Sequence, residues 1–255
     1  MNLTNNTILI TGGGSGIGRG LAEAFHALGN KVIIAGRRQS SLEETTDANP
    51  GMASVTLDID NPAAVQAFAA EVIELHPELN VLINNAGISR LENLKDHADL
   101  AKAEAMITTN VLGPIRLTTA LLPHLQKQAK AAILNVSSGL AFVPLPSAPT
   151  YSATKAFLHS YTQTLRFQLK DTPVEVLEII PPYVQTELGG PAQAIDPRAM
   201  PLKDYIAETM QILKDPKAVE NCVERVKFLR FAEATGSFDK AFTMLSQLTL
   251  DPSHP

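Results

Sequence analysis

The chain has 255 residues, enough to bury one sizeable core, and its 45% apolar and 18% charged residues exclude a disordered or fibrous polymer. A formal net charge of −5 excludes a broadly basic nucleic-acid surface but leaves room for a local basic pocket that receives a phosphate. Cys222 is the only cysteine, so an internal disulfide and a thiolate-based structural zinc site are both excluded.

From the amino end, Met1 to Thr7 lacks the basic and apolar segments of an export signal, and no apolar run approaches the roughly 20 residues of a spanning helix. A soluble cytoplasmic protein with no membrane partner is expected. Residues 7–11 read as a strand, 16–28 as a helix and 31–35 as a second strand, which makes a βαβ unit. Strands at 54–57, 81–84, 132–137 and 174–180 bring the number to six, with helical patterns at 62–75, 104–128 and 151–170. Parallel neighbours need crossover connections, so the alternation predicts an α/β fold: a Rossmann-like, doubly wound parallel sheet with helices on both faces, in one domain over 1–255. After Ile180, Pro181, Pro182, Gly189, Gly190, Pro191, Pro197 and Pro201 interrupt regular structure and predict a mobile loop or lid over 182–215. From Pro216 onward Val219, Val223, Val226 and Leu229 suit an amphipathic helix, and the tail reads without a strand.

Thr11 to Gly18 spell TGGGSGIG directly after the first strand and at the start of a helix. Glycines there let the backbone approach a pyrophosphate, whose charge is favoured by the free amides of the helix end. Gly12, Ser15, Gly16, Ile17 and Gly18 are therefore candidate dinucleotide contacts; the plain alternative is a tight turn that binds nothing. The second strand ends at Gly36-Arg37-Arg38, where an NAD-binding unit usually places a carboxylate for the ribose. Guanidinium groups there match the extra phosphate of NADP, so NADP(H) is expected over NAD(H), the alternative being that Arg37 and Arg38 are solvated loop charges. His26, His76, His97, His124, His159 and His254 have no paired metal spacing, and no metal is expected.

The glycine turn, Asn84-Asn85-Ala86-Gly87, Asn110, Ser138 and Tyr151-Ser152-Ala153-Thr154-Lys155 follow one another in the order and spacing of the short-chain dehydrogenase/reductase family, which the chain resembles over roughly residues 7–188. Within that family it is similar to the DltE-like subgroup. The resemblance implies that Asp58 and Ile59 lie beside the adenine, that Asn85, Ala86 and Gly87 line the cofactor crevice, and that Ile17, Pro181, Val184 and Thr186 approach the nicotinamide. Pro182 departs from the family's glycine at this point, and Ser15 stands where some NADP-using relatives carry a basic residue.

Tyr151 and Lys155, one helical turn apart, face the same crevice, and a neighbouring ammonium favours the phenolate. The resemblance makes Tyr151 the acid/base of hydride transfer between nicotinamide and a carbonyl or alcohol, with Lys155 tuning it. By the same pattern Ser138 holds the carbonyl oxygen, and Asn110 anchors a water that leads to Lys155. Leu140, Phe142, Val143, Tyr183 and Leu188 beside that chemistry suggest a small hydrophobic substrate, with ordinary loop packing as the alternative. Relatives assemble through helices matching 104–128 and 151–170, so a homodimer is expected; the seventh strand through which some become tetramers reads as absent. A non-catalytic NADP sensor or scaffold explains the glycine turn but leaves the Asn, Ser, Tyr and Lys set unaccounted for.

Overall fold

The computed structural model describes residues 1–95 and 99–250, the last three along the backbone only; His97 and His254 lie outside the described residues. The chain runs β1 (Thr7–Thr11), α1 (Gly16–Ala27), β2 (Lys31–Gly36), α2 (Gln39–Ala48), β3 (Ala53–Thr56), α3 (Pro62–Leu75) and β4 (Val81–Asn84). It continues through α4 (Leu100–Ile107), a π-helical turn at Thr108–Leu112, α5 (Gly113–Leu125), β5 (Ala131–Val136), a 3-10 turn at Gly139–Ala141, α6 (Pro149–Gln168) and β6 (Val174–Ile180). The last elements are α7 (Pro191–Ala194), α8 (Leu202–Ile212), β7 (Glu220–Cys222), α9 (Glu224–Arg230) and α10 (Phe238–Leu250).

All seven strands are parallel, in the order β3-β2-β1-β4-β5-β6-β7. The chain winds outward from β1 to β3 and then returns to place β4 on the other side of β1, so a crevice opens at the carboxyl ends of β1 and β4. Every residue of β1, β4 and β5 is buried, as expected where helices cover both faces. Alternate side chains serve the two cores: Ile8, Ile10, Ile34 and Ile83 pack on one side, Leu9, Ile33 and Leu82 on the other. Burial of each such side chain stabilises the fold by about 1.5–3 kcal/mol.

A polar cluster crosses the second core. Asn84 Nδ2 donates to Asn135 Oδ1 at 2.8 Å and to Thr118 Oγ1 at 3.0 Å, and Asn135 Nδ2 donates to Thr162 Oγ1 at 2.9 Å. These bonds fix α5 and α6 against the ends of β4 and β5, the elements that carry the site.

Two expectations are corrected. The sheet has seven strands and not six, because Glu220–Cys222 pairs with β6 before the amphipathic pattern becomes helical at Glu224. With that strand present, its supposed absence no longer argues against a tetramer. The proline-rich stretch is also not irregular throughout: α8 packs on α1 and buries Tyr205 and Leu213 completely or nearly so. The looser part, residues 185–199, is tied at its base by Gln185 N to Met200 O at 2.9 Å and Met200 N to Tyr183 O at 2.8 Å.

Candidate functional site

The crevice is a cleft of about 530 Å³ that runs from the glycine turn to the start of α6. Gly12, Ser15, Gly16, Ile17, Arg37, Arg38, Asn85, Ala86, Gly87, Ser138, Tyr151, Lys155, Pro181, Val184, Thr186 and Leu188 all line it, so residues as far apart in sequence as Gly12 and Leu188 meet there. Gly18 sits behind the lining.

The glycine turn is shaped by close approach. Gly12 has φ +67°, and a Cβ on Gly18 would stand 2.2 Å from the Gly12 carbonyl oxygen and 2.4 Å from Asn85 Nδ2. Ser15, at the amino end of α1, makes no side-chain capping bond, which leaves first-turn amides of α1 for a ligand. Thr11 joins the turn to the loop after β4: its Oγ1 accepts from Asn85 N and Ala86 N, each at 3.0 Å, while Asn85 Nδ2 donates to Thr11 O at 2.9 Å. The residues present thus fit a dinucleotide pyrophosphate. Arg37 is 54% exposed at the carboxyl end of β2, its Nη1 3.5 Å from Asp60 Oδ2, a loose pair that a phosphate can displace.

Asp58 and Ile59 do not line the cleft. Ile59 is buried in the second core and packs under Gly113, where a Cβ would come within 2.9 Å of it, and Asp58 Oδ1 accepts from Asp60 N at 3.1 Å.

At the chemical end, Ser138 Oγ accepts from Leu140 N at 3.1 Å, and the serine lies close enough to Tyr151 to favour its phenolate. Tyr151 is buried, and that burial pushes its phenol up to about 12, only partly countered by Ser138. Lys155 is also buried; its Nζ donates to Val136 O at 2.9 Å and sits 5.6 Å from the centre of the Tyr151 ring. Burial lowers the lysine to about 8, with the charge of Glu178 opposing that fall. Burial, the largest influence on the tyrosine, acts opposite to the fall expected from the neighbouring ammonium.

Asn110 occupies the π-helical turn, a distortion often found at functional sites. Its side chain clamps the loop after β4, accepting from Ile88 N at 2.9 Å and donating to Ile88 O at 2.9 Å and Thr154 Oγ1 at 3.2 Å. It lies next to Gly87 and Lys155 without facing the cleft.

Four of the five expected substrate residues lie elsewhere. Val143 is fully buried with Ala232, Ala241 and Leu245; Phe142 meets the His159 ring edge-on at 4.6 Å with the Arg230 guanidinium 4.5 Å from its centre; Leu140 packs against the Tyr151 cluster. Tyr183 turns outward and donates to Asp196 Oδ2 at 3.2 Å. In their place Ile88, Arg90, Pro182, Glu187 and Gln193 join Leu188 in the lining. Arg90 and Glu92 were not singled out in the sequence, where isolated loop charges carry no periodic signal. Glu92 receives Thr150 N at 2.9 Å and Thr150 Oγ1 at 2.8 Å, so the loop after β4 caps the helix that presents Tyr151. No helix among the described residues is long and apolar enough to cross a membrane.

Residues 6–195 match the family described as short chain dehydrogenase. The chain is 40% identical over 250 residues to the uncharacterized oxidoreductase DltE of Bacillus subtilis (strain 168), covering 96% of this chain and 98% of that protein. Among solved structures it is similar to a short chain dehydrogenase from Burkholderia cenocepacia J2315 in complex with NADP (TM-score 0.80, 26% identity, 99% of this chain and 100% of that one). It is also similar to a 3-ketoacyl-(acyl-carrier-protein) reductase from Brucella melitensis complexed with NADH (TM-score 0.75, 28% identity, 86% and 94%).

Proposed function

The chain belongs to the short chain dehydrogenase family, and from that premise we propose an NADP(H)-dependent oxidoreductase in which Tyr151 exchanges a proton with the oxygen of a small carbonyl or alcohol. The observation that carries this reading is the meeting of buried Tyr151 with Ser138 and with Lys155, one turn on, in the cleft that begins at the glycine turn. When bound, the dinucleotide supplies the hydride. Gly12, Gly16 and the amino end of α1 would hold its pyrophosphate, and residues at the ends of β4 and β6 would border its reactive ring.

In the reducing direction Ser138 and Tyr151 hold the carbonyl oxygen, and Tyr151 gives up its proton to it as charge develops. A phenol pushed up to about 12 stays protonated through neutral pH, which favours its service as the acid. Lys155, charged below about 8, stabilises the phenolate left behind, and Asn110 fixes the loop that lies against it. Ile88, Pro182 and Leu188 offer apolar walls while Arg90, Glu187 and Gln193 add polar ones, so a carbonyl compound of mixed polarity suits the cleft better than a wholly hydrophobic one. We place the lid at residues 182–201, ahead of the anchored α8.

The reading is tested by following NADPH absorbance with a broad panel of aldehydes and ketones; binding of NADPH without any turnover across it would remove the reductase reading. The preference for NADP rests on Arg37. Arg37→Ala is expected to raise the Kd for NADPH by about 10–100-fold, the worth of one charge-assisted contact, and to leave that for NADH nearly unchanged. Equal losses for both would show that the arginine does not read the phosphate. Ile107 and Leu112 before α5, and Phe157 and Phe167 on α6, are exposed apolar residues on the two helical segments expected to pair, which supports a homodimer. Light scattering should give twice the mass of one chain; a single-chain mass rejects the pairing.

A further inference from the structure

After β6 the lid folds back on itself, and one side chain closes the fold. Gln193 Nε2 donates to Val184 O at 2.8 Å and to Thr186 Oγ1 at 3.1 Å, while Gln193 Oε1 accepts from Gly189 N at 2.8 Å. The amide fits only this way round: flipped, its NH2 would face the Gly189 N–H and its oxygen the Val184 carbonyl. Both amide hydrogens are therefore committed to the lid, although Gln193 lines the cleft. Thr186 stands at the receiving end. Its Oγ1 accepts from Gln193 Nε2 and, at 3.4 Å, from Leu188 N, and no acceptor takes its proton among the described residues. A hydroxyl has one proton and two acceptor sites, so when both acceptor sites are taken by the lid the proton is left for a partner outside it. Thr186 lines the cleft and is only 9% exposed, and a Cβ on Gly16 would meet its Cβ and Cγ2 at 3.4 Å, so it packs against the glycine turn.

We propose that Gln193 is a positioning residue for the dinucleotide: by donating to Thr186 it fixes that hydroxyl as a donor to an acceptor oxygen of the bound nucleotide beside the glycine turn. The assignment rests on the nucleotide-binding reading of the cleft given above. Left to rotate, a threonine hydroxyl donates as readily to a nearby carbonyl and offers the nucleotide a lone pair, which an oxygen of the nucleotide cannot use. With Gln193 in place one polarity remains, and the donor is arranged before the nucleotide arrives, so less ordering is left to the binding step. An amide is the side chain this task needs. A carboxylate of the same length would still accept from Gly189 N, but it would take the Thr186 proton and face the Val184 carbonyl oxygen with another acceptor. The nucleotide has two kinds of oxygen that suit such a donor, the nicotinamide carboxamide and the pyrophosphate.

The test is a double-mutant cycle on NADPH affinity, read by fluorescence titration of the whole protein. Gln193 belongs to neither of the two main cores, so Gln193→Met keeps the fold, which a thermal melt checks. In the parent chain this change is expected to raise the Kd for NADPH about 10-fold, and in the Thr186→Val background no more than about 3-fold, the remainder being the looser lid. In the Thr186→Ser background, which keeps a hydroxyl, the full loss should return. Equal losses with and without the hydroxyl would show that Gln193 only braces the lid and would overturn the assignment, as would no loss in any background. Calorimetry with 2′-phospho-ADP-ribose, which has the pyrophosphate and no nicotinamide, tells the two oxygens apart: the same dependence on Thr186 supports the proposal with the acceptor on the pyrophosphate, and its absence there, with the dependence kept for NADPH, supports it with the acceptor on the carboxamide. A parent chain that binds no NADPH defeats the nucleotide reading and this inference together, whereas tight parent binding without the dependence on Thr186 defeats this inference alone.

Discussion

Tyr151→Phe is expected to cut NADPH-dependent carbonyl reduction by about 10²–10⁴-fold while leaving NADPH binding and thermal stability close to those of the parent chain. The ring is kept, and so is the packing of a residue that is only 7% exposed. What is lost is one buried hydroxyl beside Ser138, whose Oγ still accepts from Leu140 N, so the cost to folding is about 1 kcal/mol. The loss therefore falls on the chemical step. The comparison is made on kcat at saturating NADPH with an aldehyde from the panel, alongside the midpoint of thermal unfolding. A variant that turns over at the parent rate would show that the proton comes from elsewhere.

Gly18→Ala is expected to weaken NADPH binding by more than about 100-fold and to destabilise the fold by about 1–3 kcal/mol. The added methyl would stand 2.2 Å from the Gly12 carbonyl oxygen and 2.8 Å from its carbon, both backbone atoms. Neither can yield easily, because Gly12 N is held by Ala35 O at 2.7 Å. The third neighbour, Asn85 Nδ2 at 2.4 Å, is tied to Thr11 O, so relief by rotating that amide would break the join between the glycine turn and the loop after β4. Fluorescence titration with NADPH and a thermal melt measure the two effects. Parent-like affinity would mean that the turn tolerates a β-carbon and that its glycines are not what admits the dinucleotide.

The strands from β1 to β6 were legible because most are short runs rich in apolar or β-branched residues separated by helical periods, and the glycine turn because its place after β1 gave the string a context. Other parts depended on information that is not local. β7 is three residues long, Glu220, Asn221 and Cys222, with no apolar alternation; it is a strand because β6 presents it an open edge. Helix α8 was hidden by its prolines, yet Pro201 stands at the cap, where a missing N–H costs little. Phe142 and Val143 follow Ser138 closely in sequence, but the 3-10 turn carries them under α9 and α10 and out of the cleft lining. The burial of Tyr151 and Lys155 was illegible for a similar reason: four-residue spacing shows that two side chains share a face, and says nothing of how little water reaches them.

The strand order has a consequence for when the protein becomes competent. Segments near residues 12, 86, 138, 151 and 181 meet only because four parallel strands, β1, β4, β5 and β6, have already been laid side by side, with long crossovers between them. An assembly that lacks any one of those four strands does not hold all of the segments. Acquisition of NADPH affinity during refolding should therefore be an all-or-none event that trails the bulk of secondary-structure formation, making the bound nucleotide a reporter of finished topology.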